Sequence, residues 1–220
     1  MLDNATVQML LVGVGESLYM TLFSAIFSYI IGLPLGILLV ISAKDGIRPN
    51  APVYKILDII VNITRSIPFL ILMVMIIPVT RAIVGTSLGS TAAIVPLTFS
   101  AAPFIARMVE SSLMEVDKGV IEAAHSMGAS NWQIIKKVLI PEAFPSLING
   151  ATIAFATILG YSAIAGFVGG GGLGAIAVNY GYYRYQTDIM LITVALLVVL
   201  VQIFQEIGMR FASRSDKRKF

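Results

Sequence analysis

Residues 18–41 run for 24 positions without a charged side chain. A run of that length spans the hydrocarbon core of a bilayer as a helix with some tilt. Backbone groups in lipid find no water, so the segment must satisfy them internally, and for a single apolar run that means an α-helix. The same pattern recurs along the chain, with only 12% charged residues against about 25% in a soluble domain. The expected fold is an all-α membrane protein of one domain over 1–220, with about five transmembrane helices. The spans are expected at about 18–41, 53–78, 91–108, 147–167 and 189–207. A loop at 110–146 joins the third to the fourth, and a basic tail occupies 208–220.

Several local features refine these spans. Pro34 is expected to kink the first, while Gly32 and Gly36, four residues apart, allow a neighbouring helix to come close. The fourth is rich in Ala, Thr and Gly, which predicts packing against protein more than lipid. Lys55, Asp58, Asn62 and Arg65 fall on one helical face of the second. Either that helix extends into water, or Arg65 lies within the membrane and faces the bundle interior. Arg107 and Glu110 are expected to mark the third span's return to water.

Basic residues set the orientation. With five spans, the 44–55 linker, the 110–146 loop and the tail share one side, which together with Arg107 at the end of the third span collects twelve of the fifteen Lys and Arg residues. Arg81 and Arg184 face the other. This places the amino terminus outside, and the loop and carboxyl terminus in the cytoplasm, of a multi-pass protein. Residues 1–15 contain no Lys or Arg, which argues against a signal peptide. The chain has no cysteine and one histidine, His125, so thiolate and histidine-cluster metal sites are excluded.

The 110–146 loop reads as two short helices about a turn. Asp117 is expected to cap the first, and Gly128 to supply a backbone angle that other residues adopt only with strain. Ser130 with Gln133 fits a capping box opening the second, and Pro141 is expected to close it. Trp132, Ile135 and Leu139 are expected to bury against the bundle, leaving Glu122, Ala123 and Ala124 for a partner. The spacing also fits a DNA-binding helix-turn-helix. A DNA reader needs base- and phosphate-contacting side chains, and here only Lys136 and Lys137 are basic on the second helix; nucleic acid is therefore not expected as a partner.

Glu122-Ala123-Ala124, with Gly128 following and Pro141 after an Ile/Val-rich helix, resembles the cytoplasmic loop of the permease subunits of bacterial ABC importers. The resemblance implies that the helix before Gly128 is a coupling helix docking on a separate ATPase subunit. Glu122 would make the polar contact, Ala123 and Ala124 the close approach, and Gly128 with Ala129 the turn away. Arg65-Ser66-Ile67-Pro68-Phe69, Ala102-Pro103-Phe104, Gly160-Tyr161-Ser162-Ala163 and the glycine cluster at 170–174 are similar to the methionine-import branch. This implies a homodimer in the bacterial inner membrane, two ATP-binding subunits carrying ATP and Mg, and a periplasmic or lipid-anchored substrate-binding protein. Tyr161, Ser162, Ile164 and Arg65 are the expected pathway or gate residues.

No phosphate-binding G-x-x-x-x-G-K-[ST] occurs, so the chain itself is expected to be no enzyme and to hold no cofactor or metal. Gly169-x-Gly171-x-x-Gly174 matches a dinucleotide fingerprint but follows a membrane span instead of a strand; an outer turn is the better reading. The alternatives are an importer of another amino acid or small polar solute, and an ion-coupled carrier. A carrier usually places acids near the midplane, whereas Asp58 and Asp188 fall near span ends.

Overall fold

The computed structural model describes residues 3–215. Lys217, Arg218 and Lys219 of the expected basic tail lie outside the described residues. Within them the chain is almost entirely helical, with no strand. Four helices are long and apolar enough to cross a membrane, or five when one sharply bent pair counts as a single span.

Helix α1 is Asn4–Ser42 and continues through Pro34. It begins well before residue 18 because Asp3 caps it, accepting the Thr6 N–H at 2.9 Å. The stretch expected as one span at 53–78 is divided into α2 (Ala51–Ser66), α3 (Phe69–Met75) and the start of α4 (Ile77–Val84). The first two are bent by 101°. Pro68 sits at the bend with an extended ψ of 133°; its ring also disfavours helical geometry at Ile67. Helix α5 is Ser90–Met114. In the loop, α6 (Lys118–Ser126) and α7 (Asn131–Ile134) lead through a π-turn at Ile135–Leu139 into α8 (Ile140–Glu142). Then come α9 (Phe144–Ala165), α10 (Gly172–Ile176) and α11 (Thr187–Ser215). The tail from 208 is thus helical as far as Ser215.

Tertiary contacts divide the chain into two units. The first holds the chain up to Ser28, with Ile67–Ala101 and Ala154–Gln205. Its core is Met20, Phe69, Met73, Ala93, Leu97 and Ala165. Here α1 and α5 exchange polar contacts: Ser24 Oγ donates to the Ile94 carbonyl at 3.4 Å and Ser28 Oγ to that of Thr98 at 3.3 Å. In an apolar bundle such hydroxyl bonds add to van der Waals packing.

The second unit holds Tyr29–Ser66, Ala102–Ile153 and the chain from Glu206. Leu39, Val61 and Ala106 form a small core, with Leu35, Tyr54 and Leu57 against it. The expected close approach at the paired glycines is present. A Cβ on Gly32 would lie 2.6 Å from the Ala102 carbonyl oxygen, and one on Gly36 2.6 Å from that of Ala106. Only a hydrogen fits at either position.

Burial of the apolar stretches differs from the sequence expectation. It reaches 72% in α5 but 33% in α9 and 6% in α11. Of these three helices α5 is the most buried, whereas much of α9, with its small residues, is open among the described residues.

Replacing Gly36 by Leu is expected to destabilise the protein by about 1–3 kcal/mol through overpacking. Gly15→Leu, where a Cβ meets nothing within 4 Å, is the control. Thermal unfolding in detergent should show a lowered midpoint for the first variant alone.

Candidate functional site: a rigid two-helix surface

The 117–140 segment belongs to the second unit and is closed by its own hydrogen bonds. Asp117 caps α6, its carboxylate accepting the Gly119 N–H at 2.7 Å. At the other end Gly128 N–H donates to the His125 carbonyl and Ala129 N–H to that of Ala124, at 2.9 and 3.1 Å. These two bonds form a Schellman motif, with Gly128 at φ +79° in its left-handed position. The capping box follows at once: Gln133 N–H donates to Ser130 Oγ and Ser130 N–H to Gln133 Oε1. Both helix ends at the turn thus have partners without a contact from outside the loop.

One face of the segment is anchored. Ala124, Ile134, Ile135 and Leu139 are all buried. The opposite face is open: Glu122 and Ala123 are exposed, Val120 is 43% exposed and Met127 82%. Three expectations change. Ala124 points into its own unit, because it shares the inner face of α6 with half-buried Ile121. Trp132 is 69% exposed, and Ile134 takes the inner position instead. Trp132 stands in the first turn of α7, and the wider π-turn after it shifts the helical phase, so a 3.6-residue count does not hold. Pro141 does not end the helical run either. It lacks an N–H and crowds the carbonyl four residues back, and the π-turn ahead of it accommodates that misfit.

Beside this surface a cavity of about 300 Å³ opens between the 43–47 turn, the end of α5 and α6. Lys118 and Asp45 meet at its rim at 3.2 Å. Both are about 70% exposed, so the pair adds little to stability.

In the charged stripe of α2, Asp58 makes the contact to another helix. Arg107 of α5 bridges two acids: its guanidinium reaches Asp58 Oδ1, and Glu110 Oε2 at 2.6 Å. Asn62 Nδ2 donates to the same Asp58 oxygen at 3.2 Å. Glu110 is only 7% exposed, and Arg107, its neighbour on α5, ties that helix to α2 through Asp58. Pairing of charges in helices this apolar follows from their desolvation cost. The signal in the sequence was opposite charges on two spans; what it lacked was which helices meet. Arg65 is exposed, with its guanidinium carbon 6.0 Å from the Phe104 ring centre.

The other pathway candidates belong to the first unit and do not converge within the chain. Tyr161 stacks on Phe69, ring centres 4.7 Å apart and nearly parallel. Ser162 is 1% exposed and donates to the Leu159 carbonyl at 2.7 Å. Ile164 is 38% exposed on the outward side of α9.

A family model, that of the binding-protein-dependent transport system inner membrane component, matches residues 32–214. The chain belongs to this family. It is a multi-pass inner-membrane protein of the transport-permease class. It is 52% identical over 210 residues to a probable D-methionine transport system permease protein MetI of Vibrio cholerae, covering 96% of this chain and 93% of that one. To the MetI D-methionine permease protein of Escherichia coli K12 it is 56% identical over 154 residues, 70% and 71% of the two chains. Among solved structures, an inward-facing MetNI methionine ABC transporter matches with TM-score 0.97 and 50% identity, over 98% of this chain and all of that one. An amino acid ABC transporter crystallised with histidines matches at TM-score 0.79 and 20% identity, a likeness of fold alone. The family is one of transport components, so the chain is a transport subunit and not an enzyme in itself.

Asp58→Ala leaves Arg107 in an apolar bundle with one fewer partner, and is expected to cost about 3 kcal/mol. Asp58→Ala combined with Arg107→Ala should cost less than the sum of the single changes. Unfolding midpoints of the three variants in detergent measure the coupling; additivity would mean that the tie contributes nothing.

Proposed function

We propose that this chain is the permease subunit of an ATP-driven ABC importer of methionine. The observation that carries the reading is the 52% identity across nearly the whole chain to a D-methionine permease protein, joined to the open face of α6. Two copies assemble about a two-fold axis. The small residues of α9 and the open surface of α11 support this, since homo-oligomers bury self-complementary faces. The amino terminus lies outside and the 117–140 loop in the cytoplasm, an orientation supported by the distribution of basic residues.

Two ATP-binding subunits, which carry ATP and Mg, seat the open face of α6. Glu122 supplies a polar contact there, Ala123 permits close approach, and Gly128 with Ala129 turns the chain back. Closure of the ATPases on nucleotide moves the two loops, and alternating access follows as the helices rearrange. A periplasmic or lipid-anchored binding protein delivers substrate on the outer side. Methionine asks for an apolar, polarisable passage, and Tyr161 with Ile164, three apart on one face of α9, contributes to its wall or gate. Arg65, carried by α2, is assigned to the same pathway. Surrounding lipid covers the remaining apolar surface.

Purified with its ATPase and reconstituted in vesicles, the complex is expected to take up methionine with ATP and to keep doing so with a protonophore present. Uptake that collapses with the proton gradient would point to an ion-coupled carrier instead. Glu122→Lys is expected to leave membrane insertion intact and reduce uptake by about tenfold or more while ATP hydrolysis continues, the pattern of a lost mechanical link. Wild-type uptake by this variant would remove Glu122 from the coupling role.

A further inference from the structure

The first unit contains an acid that neither the span pattern nor the loop reading uses. Glu16 lies on α1, inside an otherwise apolar helix. Its Oε2 accepts the Gly172 N–H at 2.6 Å. The next residue repeats the contact one step along: Ser17 Oγ accepts the Leu173 N–H at 2.9 Å. Two consecutive side chains of α1 thus hold two consecutive amides of the glycine-rich turn.

The turn is shaped around them. Gly169, Gly171 and Gly172 have φ of +83°, +80° and +73°. A Cβ on Gly171 would lie 2.8 Å from Glu16 Oε2, and one on Gly172 2.7 Å from Ser17 Oγ. Gly171 and Gly172 are therefore required twice, for the backbone angle and for room beside Glu16 and Ser17 respectively. Gly89 N–H also donates to the Gly169 carbonyl at 2.8 Å, so a third segment joins the same knot. A carboxylate that accepts a backbone N–H forms a strong, directional bond, and an acid held this way within a long membrane helix is a functional candidate with its partner in view.

We propose that Glu16 is a positioning residue for transport. With Ser17 it clasps the turn at 169–173 to α1, so that the turn travels with that helix during the cycle. This rests on the permease reading: the turn belongs to the outer end of the pathway, and its place on α1 decides whether the stroke of the helices reaches that end. The requirement is for an acceptor at this point and not for a negative charge, since the partners are backbone amides.

Three variants test it in the reconstituted complex. Glu16→Ala is expected to lower the maximal uptake rate about tenfold with KM within about twofold and ATP hydrolysis retained, the split that marks lost transmission instead of lost substrate binding. Glu16→Gln keeps an acceptor oxygen and is expected to restore the rate to within about threefold of wild type. An unchanged rate in Glu16→Ala, or equal losses in the two variants, overturns the proposal. If Glu16→Ala fails to assemble, Ser17→Ala carries the test, and a rate within about twofold of wild type overturns the proposal. Hydrogen–deuterium exchange over 166–176 reads the clasp without transport. Faster exchange in Glu16→Ala supports it even should wild-type vesicles take up no methionine, which would count against the substrate and leave the clasp standing; unchanged exchange overturns it.

Discussion

An apolar medium offers the backbone no partner, and everything in this chain accommodates that fact. Each long segment closes its hydrogen bonds within itself as a helix. Helices satisfied in this way then attract one another chiefly by surface fit. That is why the closest contacts of α1 with α5 fall at Gly32 and Gly36, where backbone meets backbone. It is also why serine hydroxyls at 24 and 28 turn to carbonyls of α5. The most buried of the four spanning helices is α5, although it contains Pro96 and Pro103 and is not the most apolar of them.

The same requirement shapes the 117–140 loop. Its turn is closed on one side by the bonds that end α6 and on the other by the capping box that opens α7. A segment satisfied internally can be stiff without being buried, and this one is fixed to its unit on one face, by Ala124, Ile134, Ile135 and Leu139. Its other face remains free for a protein partner. In the proposed cycle that combination suits a part that receives force: a flexible loop would absorb the displacement, and a buried one would never meet the motor.

Charges in the apolar helices follow a third rule, that each must find a partner near its own depth. Arg107 satisfies Asp58 and Glu110 at one point, and Glu16 is met by the backbone amide of Gly172. The membrane reading of the chain, the paired glycines, the cap at Asp117, the turn at Gly128 and the Ser130–Gln133 box are all written in short-range pattern, and all were legible there. The phase of Trp132 was not, because the π-turn ahead of Pro141 replaced the regular count. The broken second span was hard to see as well: Ile67 to Val79 is apolar throughout, and its hydropathy hides a bend made by one proline.

What the sequence determined by itself was therefore local and chemical. It settled that the chain must be helical and sit in a membrane, where its turns fall, and to which family of loops the central one is similar. Only the tertiary structure decided that Ala124 faces inward while Ala123 faces out, that Asp58 pairs with Arg107, and that Glu16 reaches a glycine turn 156 residues away. The reason is geometric. Periodicity along one helix states which residues share a face, but which face meets which neighbour depends on contacts between segments distant in the chain, and no short stretch of sequence contains both sides of such a contact.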